Sequence, residues 1–336
     1  MFFKKNKSNV TYAKKEGDRA LGVLVNETPK ILPWSNNYLS EKNGVINLGT
    51  GFNDSVPKLD LNKSHNILIA GEMGVGKTLL TKNIIWQLVN QKSDVYIIEL
   101  SGYYEFDSRY SMMGQVINYL DSLDNLLNEL LDEHERRTLI LEEEGFKSFE
   151  AFNENRFDSK KLKRKVIVID NYYNLLKKAS ISSIEQIQVE SIEKNLIKLI
   201  SSTKDTGINL IINDNEISEL NAELVNKIQV KICGRHNERN SKLMLGDDRA
   251  RELNGISSFL MKINNEIEFF EAYRFEEEKQ LKILESIKVN LKEEIKTDDT
   301  FIGQNQTFKV DFEDNINNPL PGTLGEGKNF GVKGCD

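Results

Sequence analysis

The octapeptide Gly71-Glu72-Met73-Gly74-Val75-Gly76-Lys77-Thr78 lies between an apolar run, Ile67 to Ala70, and a helical pattern beginning at Leu79. This is G-x-x-x-x-G-K-T in the setting it requires: strand, glycine-rich turn, helix. Glycines let backbone N–H groups curl around phosphate oxygens, and the positive end of the helix dipole favours the anion. The pattern therefore predicts a nucleoside triphosphate site, with Gly71, Glu72, Met73, Gly74, Val75, Gly76, Lys77 and Thr78 around the phosphates. Lys77 is expected on the β- and γ-phosphates, and the Thr78 hydroxyl on Mg²⁺.

The rest of the site is sought at the ends of other apolar strands. Val166-Ile167-Val168-Ile169 delivers Asp170 at its C-terminal end, where ligands of parallel sheets bind. Asp170 is the expected second holder of Mg²⁺. Hydrolysis also needs a group that orients or deprotonates water. The next residue is Asn171, an amide that cannot take a proton. Glu99, ending the strand Val95–Leu100, is a substitute if it faces the nucleotide, whereas Glu72 is expected to point to solvent.

Strand and helix patterns alternate from residue 64. Leu79, Leu80, Ile84, Ile85, Leu88 and Val89 form an inner helical stripe, and a long leucine-bearing helix ends near Gly145. Ile184, Ile187, Ile192, Leu196, Leu199 and Ile200 read as another amphipathic helix. Strands follow at Ile208–Ile212 and Ile228–Cys233, and a hairpin turning at Asn264-Asn265 closes the series. Such alternation predicts a mostly parallel, doubly wound α/β sheet.

Two cysteines, Cys233 and Cys335, suit reduced thiols in a cytoplasmic protein. His65, His134 and His236 show no metal-ligand spacing. No apolar stretch is long enough to span a membrane, and the start lacks a signal-peptide pattern. Net charge is −7, which argues against a surface that binds nucleic acid everywhere but permits a local basic channel.

The ordered pieces resemble the FtsK/SpoIIIE DNA translocases. HNILIAGEMGVGKTLLTKNIIWQL is similar to that family's phosphate-loop segment, and LLNELLDEHERRTLILEEEGFKSFEAFNE to its stretch before Walker B. KVIVIDNYYNLL resembles Walker B, GINLIINDNE the sensor strand, and ELVNKIQVKICGRHNERNSKLML with DDRARELNGISSFL the closing part, together over about residues 45–272. The sequence departs from the family at three places. Asn171 replaces a glutamate, Asn215-Glu216 stands where Gln-Arg is common, and Lys231 where arginine is usual.

The resemblance implies an α/β, RecA-like P-loop NTPase with a mostly parallel central sheet flanked by helices, a closing β-hairpin and a small N-terminal β region. The expected layout is a basic flexible arm at 1–28 and a small β region packing on the motor at 29–62. An ATPase domain at 63–274, a charged helix at 275–296 and a largely disordered tail at 297–336 complete it. Catalytic candidates are Lys77, Asp170, Asn171, Glu99 and Asn215; metal candidates are Thr78 and Asp170. The implied cofactors are ATP and Mg²⁺. The implied assembly is a hexameric ring with double-stranded DNA in its pore and a neighbour's arginine completing each site. Arg136, Arg137, Arg235, Arg239, Arg249 and Arg251 are the candidates for that arginine. Lys160, Lys161, Lys163, Arg164 and Lys165 precede Walker B; Lys177-Lys178, which follow it beside Tyr172-Tyr173, are candidate contacts to DNA phosphates if they line a pore.

No membrane anchor or winged-helix module is visible, so a stand-alone cytoplasmic motor core of a plasmid, conjugative element or phage is expected. A transfer or secretion partner would recruit it to the membrane. The alternative is a type VII-like protein-secretion ATPase, or a nucleotide-binding subunit that scarcely hydrolyses.

Overall fold

The computed structural model describes residues 30–285 except 101, 103, 104 and 155, with the backbone of two short strands before them, β1 (Ala13–Glu16) and β2 (Arg19–Gly22). The rest of the expected arm, and residues 286–336 with the expected tail, lie outside the described residues. In chain order the elements continue with β3 (Val45–Asn47), β4 (Gly49–Thr50), β5 (Lys58–Asp60), β6 (Asn66–Ala70), α1 (Lys77–Asn90), β7 (Asp94–Glu99) and β8 (Gln115–Ile117). Then come α2 (Leu120–Glu143), α3 (Phe149–Glu154), β9 (Lys165–Asp170), α4 (Tyr173–Lys178), α5 (Ser183–Ser202) and β10 (Ile208–Asp214). The series ends with α6 (Ala222–Lys227), β11 (Val230–Cys233), α7 (Glu238–Leu245), β12 (Ser258–Ile263) and β13 (Glu266–Ala272). The chain divides into residues 1–281 and 282–336; residues 277–281 are helical, as are 282–285, the described part of the second unit.

A nine-stranded sheet runs β4-β13-β12-β11-β6-β10-β9-β7-β8. From β11 to β8 every pairing is parallel, while the β12–β13 hairpin and β4 are antiparallel. The central strands are apolar runs because both of their faces are covered. Leu68, Ile98, Ile167, Ile169, Leu210 and Ile212 share one core with the leucines of α2 and the inner stripe of α5. Their alternates, Ile67, Ile69, Ile97, Val166, Val168 and Ile211, are buried on the side of α1. This is the RecA-like α/β layout expected from the sequence.

Two helix assignments need correction. Ile184 and Ile187 are 70% and 68% exposed, whereas Val189, Ile192, Leu196 and Leu199 are buried. At about 100° per residue, the two isoleucines come round to the side of α5 opposite that stripe. Leu79 is 37% exposed, because the first turn of α1 stands clear of the sheet while Leu80 turns inward.

The amino ends of the parallel strands are fastened by two buried arginines. Arg137 donates to the carbonyls of Thr206 and Lys163, both at 2.8 Å, and to Glu133 at 2.7 Å. Arg164 donates to Asn209 at 2.7 Å, to Asn62, and to Glu150 at 3.3 Å. Both guanidinium groups lie over the Phe149 ring. Arg137 is thus committed within its own chain and is withdrawn from the candidates for a neighbour's arginine. Arg164 is likewise committed within its own chain, and Lys165 pairs with Asp94 at 3.2 Å. Removing a buried charge while leaving its partners unpaired costs about 3–5 kcal/mol. Arg137→Met is therefore expected to lower the urea-unfolding midpoint by that energy, whereas Arg136→Met, exposed and paired to the same Glu133, changes it little.

Candidate functional site

The parallel strands end together on one edge, and the turn after β6 closes over it. Gly76 caps α1 in a left-handed conformation (φ +98°), and a Cβ there would reach the Ser257 backbone nitrogen at 3.3 Å. Gly74 is also left-handed (φ +83°) but borders open space. Neighbouring loops fix the turn. Glu72 N–H donates to the Arg235 carbonyl at 2.8 Å, and Ser257 N–H to the Val75 carbonyl at 2.9 Å. A built concavity of backbone N–H groups at a helix start is an anion site.

Lys77 is buried, and its Nζ donates to the carbonyls of Gly71 and Glu72, both at 2.9 Å. Burial brings its pKa down to about 8, against the pull of Asp170, Asp214 and the Cys233 thiol. An ammonium held by loop carbonyls inside its own anion site is poised to exchange them for phosphate oxygens.

Asp170 is buried two strands away, across β10. Glu99 and Asn213 stand opposite it on the two flanking strands. Asn213 Nδ2 donates to the Asp170 carboxylate at 2.7 Å and lies 3.3 Å from the Thr81 hydroxyl of α1. Burial, reinforced by Glu105, pushes the Asp170 pKa up to about 7, although Lys82 and Lys77 oppose this. A buried carboxylate so strained by desolvation gains from a cation at its open side. Among the described residues no group of three or more His, Cys, Asp or Glu side chains forms a metal cage. That fits Mg²⁺, which takes one or two protein groups and completes its shell with phosphate oxygens and water. Thr78, half-buried at the start of α1, and Asp170 are the residues that would hold it.

The loops beyond complete the edge. Asp214 accepts from Tyr173 N–H at 2.5 Å and from Glu216 N–H at 2.8 Å. The Glu216 carboxylate accepts from Ser218 at 2.7 Å and Asn240 at 2.6 Å, tying this loop to α7. Asn215, at the end of β10, is half-buried.

The FtsK/SpoIIIE family pattern matches residues 33–231. The chain belongs to the FtsK/SpoIIIE family. It is 30% identical to the pCW3 conjugation coupling protein TcpA, whose monomer structure with ATPγS it matches with a TM-score of 0.72 over 80% of this chain and 78% of that one. The DNA translocase FtsK of Caldanaerobacter subterraneus subsp. tengcongensis is 24% identical over 177 residues, half of this chain. The chain spans only 23% of that relative's length. EssC (ATPases 2 and 3) of Geobacillus thermodenitrificans shares the fold, with a TM-score of 0.59 at 15% identity over 75% of this chain and 48% of that one.

Against the family pattern, Lys77, Thr78, Asp170, Glu99 and Asn215 all come to the carboxyl edge. Asn171 does too, at φ 57°, a left-handed turn between β9 and α4 that asparagine adopts more readily than glutamate. Met73 is 87% exposed on the turn. Glu72 does not simply face solvent: it receives Arg235 Nε at 2.9 Å. Lys231 Nζ donates to the Leu243 carbonyl at 3.4 Å. The sequence reading missed Thr81, Asn213 and Asp214. Asn213-Asp214 end an apolar strand just as Asp170 does, and that signal was legible.

Replacing Lys77 by Ala removes the buried ammonium and leaves the loop intact. ATP affinity measured by calorimetry is expected to fall at least tenfold, a loss of about 1.4 kcal/mol or more, because charge-assisted bonds are the strong ones.

Proposed function

We propose that this chain is an ATP-hydrolysing motor that moves double-stranded DNA in the transfer of a mobile element. The observation that carries this reading is the 30% identity, over four-fifths of the chain, to a conjugation coupling protein solved with an ATP analogue. The catalytic edge supports it. In this reading Lys77 would bind the β- and γ-phosphates, and Thr78 with Asp170 would hold Mg²⁺, which when bound neutralises charge on the phosphoryl oxygens.

A ring of such subunits would receive an arginine from each neighbour. Arg239 at the start of α7 is exposed and makes no hydrogen bond or ion pair with another described residue. Arg136, Arg235, Arg249 and Arg251 are instead paired with carboxylates of their own chain. Lys177, whose Nζ lies 4.6 Å from the Tyr173 ring centroid, and Lys178 follow Asp170 closely and are the basic pair offered to DNA phosphates. No helix among the described residues is long and apolar enough to cross a membrane.

The test is ATP turnover with and without long linear duplex DNA. DNA is expected to stimulate turnover severalfold, with apparent DNA affinity falling steeply as salt rises, because phosphate neutralisation releases counterions. Lys77→Ala should abolish turnover in both conditions. Turnover indifferent to DNA at every salt concentration would contradict the DNA-motor reading and favour a protein substrate.

A further inference from the structure

The phosphate end of a nucleotide sets the direction of the rest of it. Lys77 and Thr78 serve the β- and γ-phosphates, and Asp170 serves the same end from β9, two strands to one side of the loop that follows β6. The nucleoside end is then directed to the other side of β6, where β11 and β12 stand. Because β12 runs antiparallel to β11, the loop that leads into it comes up at the same carboxyl edge as the phosphate loop.

That loop is Asn254-Gly255-Ile256-Ser257, and it touches the phosphate turn at its last glycine. A Cβ on Gly76 would lie 3.3 Å from the Ser257 backbone nitrogen, 3.4 Å from Ser257 Oγ and 3.6 Å from Ile256 Cγ2. The contact is fixed from several directions. Ser257 N–H donates to the Val75 carbonyl at 2.9 Å, and Ala272 N–H donates to the Ser257 carbonyl at 2.8 Å. The Ser258 hydroxyl reaches the Asn254 carbonyl at 3.2 Å and the Glu271 carboxylate at 2.7 Å. Ser257 is held at φ +81°, a left-handed conformation that a residue with a Cβ keeps only where its surroundings enforce it. On this pinned support Ile256 is nevertheless 63% exposed. Folding spends strain to hold an uncovered aliphatic side chain against the phosphate loop, on the side where the nucleoside leaves.

We infer that Ile256 seats the nucleoside, packing against the base of the triphosphate whose phosphates occupy residues 71–78. This rests on the ATP-binding reading above and deepens it by naming the residue that favours a nucleotide over a bare polyphosphate. An aliphatic side chain has no hydrogen-bonding group, so it holds a base by its face and excludes water from it. The rigid loop keeps the ordering cost of that contact low.

The experiment titrates the full chain, Ile256→Ala and Ile256→Val with ATP and with inorganic triphosphate, each with Mg²⁺, by calorimetry. Ile256→Ala should weaken ATP about five- to tenfold, the loss expected for apolar contact of that size, and Ile256→Val about threefold or less. Inorganic triphosphate should bind all three proteins within about twofold, because it has no base to seat. An Ile256→Ala protein that binds ATP as tightly as wild type would overturn the proposal. Equal losses for ATP and inorganic triphosphate would overturn it as well, by showing that Ile256 supports the phosphate loop and not the nucleoside. Wild type that binds neither compound would overturn the nucleotide reading itself, and this proposal with it.

Discussion

β10 stands between the strand that delivers the phosphate loop and the strand that delivers Asp170, so the two halves of the site meet only through its last residues. Asn213 bridges Asp170 to Thr81 on the helix behind the loop. Asp214 gathers the backbone of Tyr173 and Glu216. Thr81, Asp170, Asn213 and Asp214 are buried, and a buried polar group left unpaired costs far more than a typical hydrogen bond returns. The network therefore fixes the spacing between the ammonium of Lys77 and the carboxylate of Asp170, and everything the edge can do with a phosphate follows from that spacing.

Opposite edges of the same sheet serve opposite ends. At the amino ends, Arg137 and Arg164 donate to carbonyls, amides and carboxylates around Phe149, holding strands and helices in place. At the carboxyl ends, glycine-built concavity and desolvated charges remain open to a ligand. A basic residue's position along the chain near Walker B does not tell which of these it joins. Arg164 and Lys177 are thirteen residues apart in the sequence, yet one is sealed under the sheet and the other rests on the Tyr173 ring at the functional edge.

The fold was legible because its central strands are covered on both faces and write themselves as apolar runs, three of which (β7, β9 and β10) end in an acidic residue at one edge. The turn at 71–78 was legible because its glycines and lysine answer to phosphate geometry that no other residues satisfy. Ile184 and Ile187 misled because hydrophobicity alone does not give phase, and only Val189 onward defines the inner face of α5. Family membership supplies the expectation of a glutamate after Asp170; the left-handed turn at Asn171 shows how this chain accommodates another residue there.

The central claim is that a triphosphate lies in the turn at 71–78 with its metal held from Asp170. Calorimetric titration of ATPγS into wild type and Asp170→Asn, each with Mg²⁺ and with EDTA, tests it directly. Mg²⁺ should tighten binding to wild type, and Asp170→Asn should lose that gain while keeping the metal-free affinity. Equal Mg²⁺ dependence in the two proteins, or no heat of binding to wild type, would contradict the account.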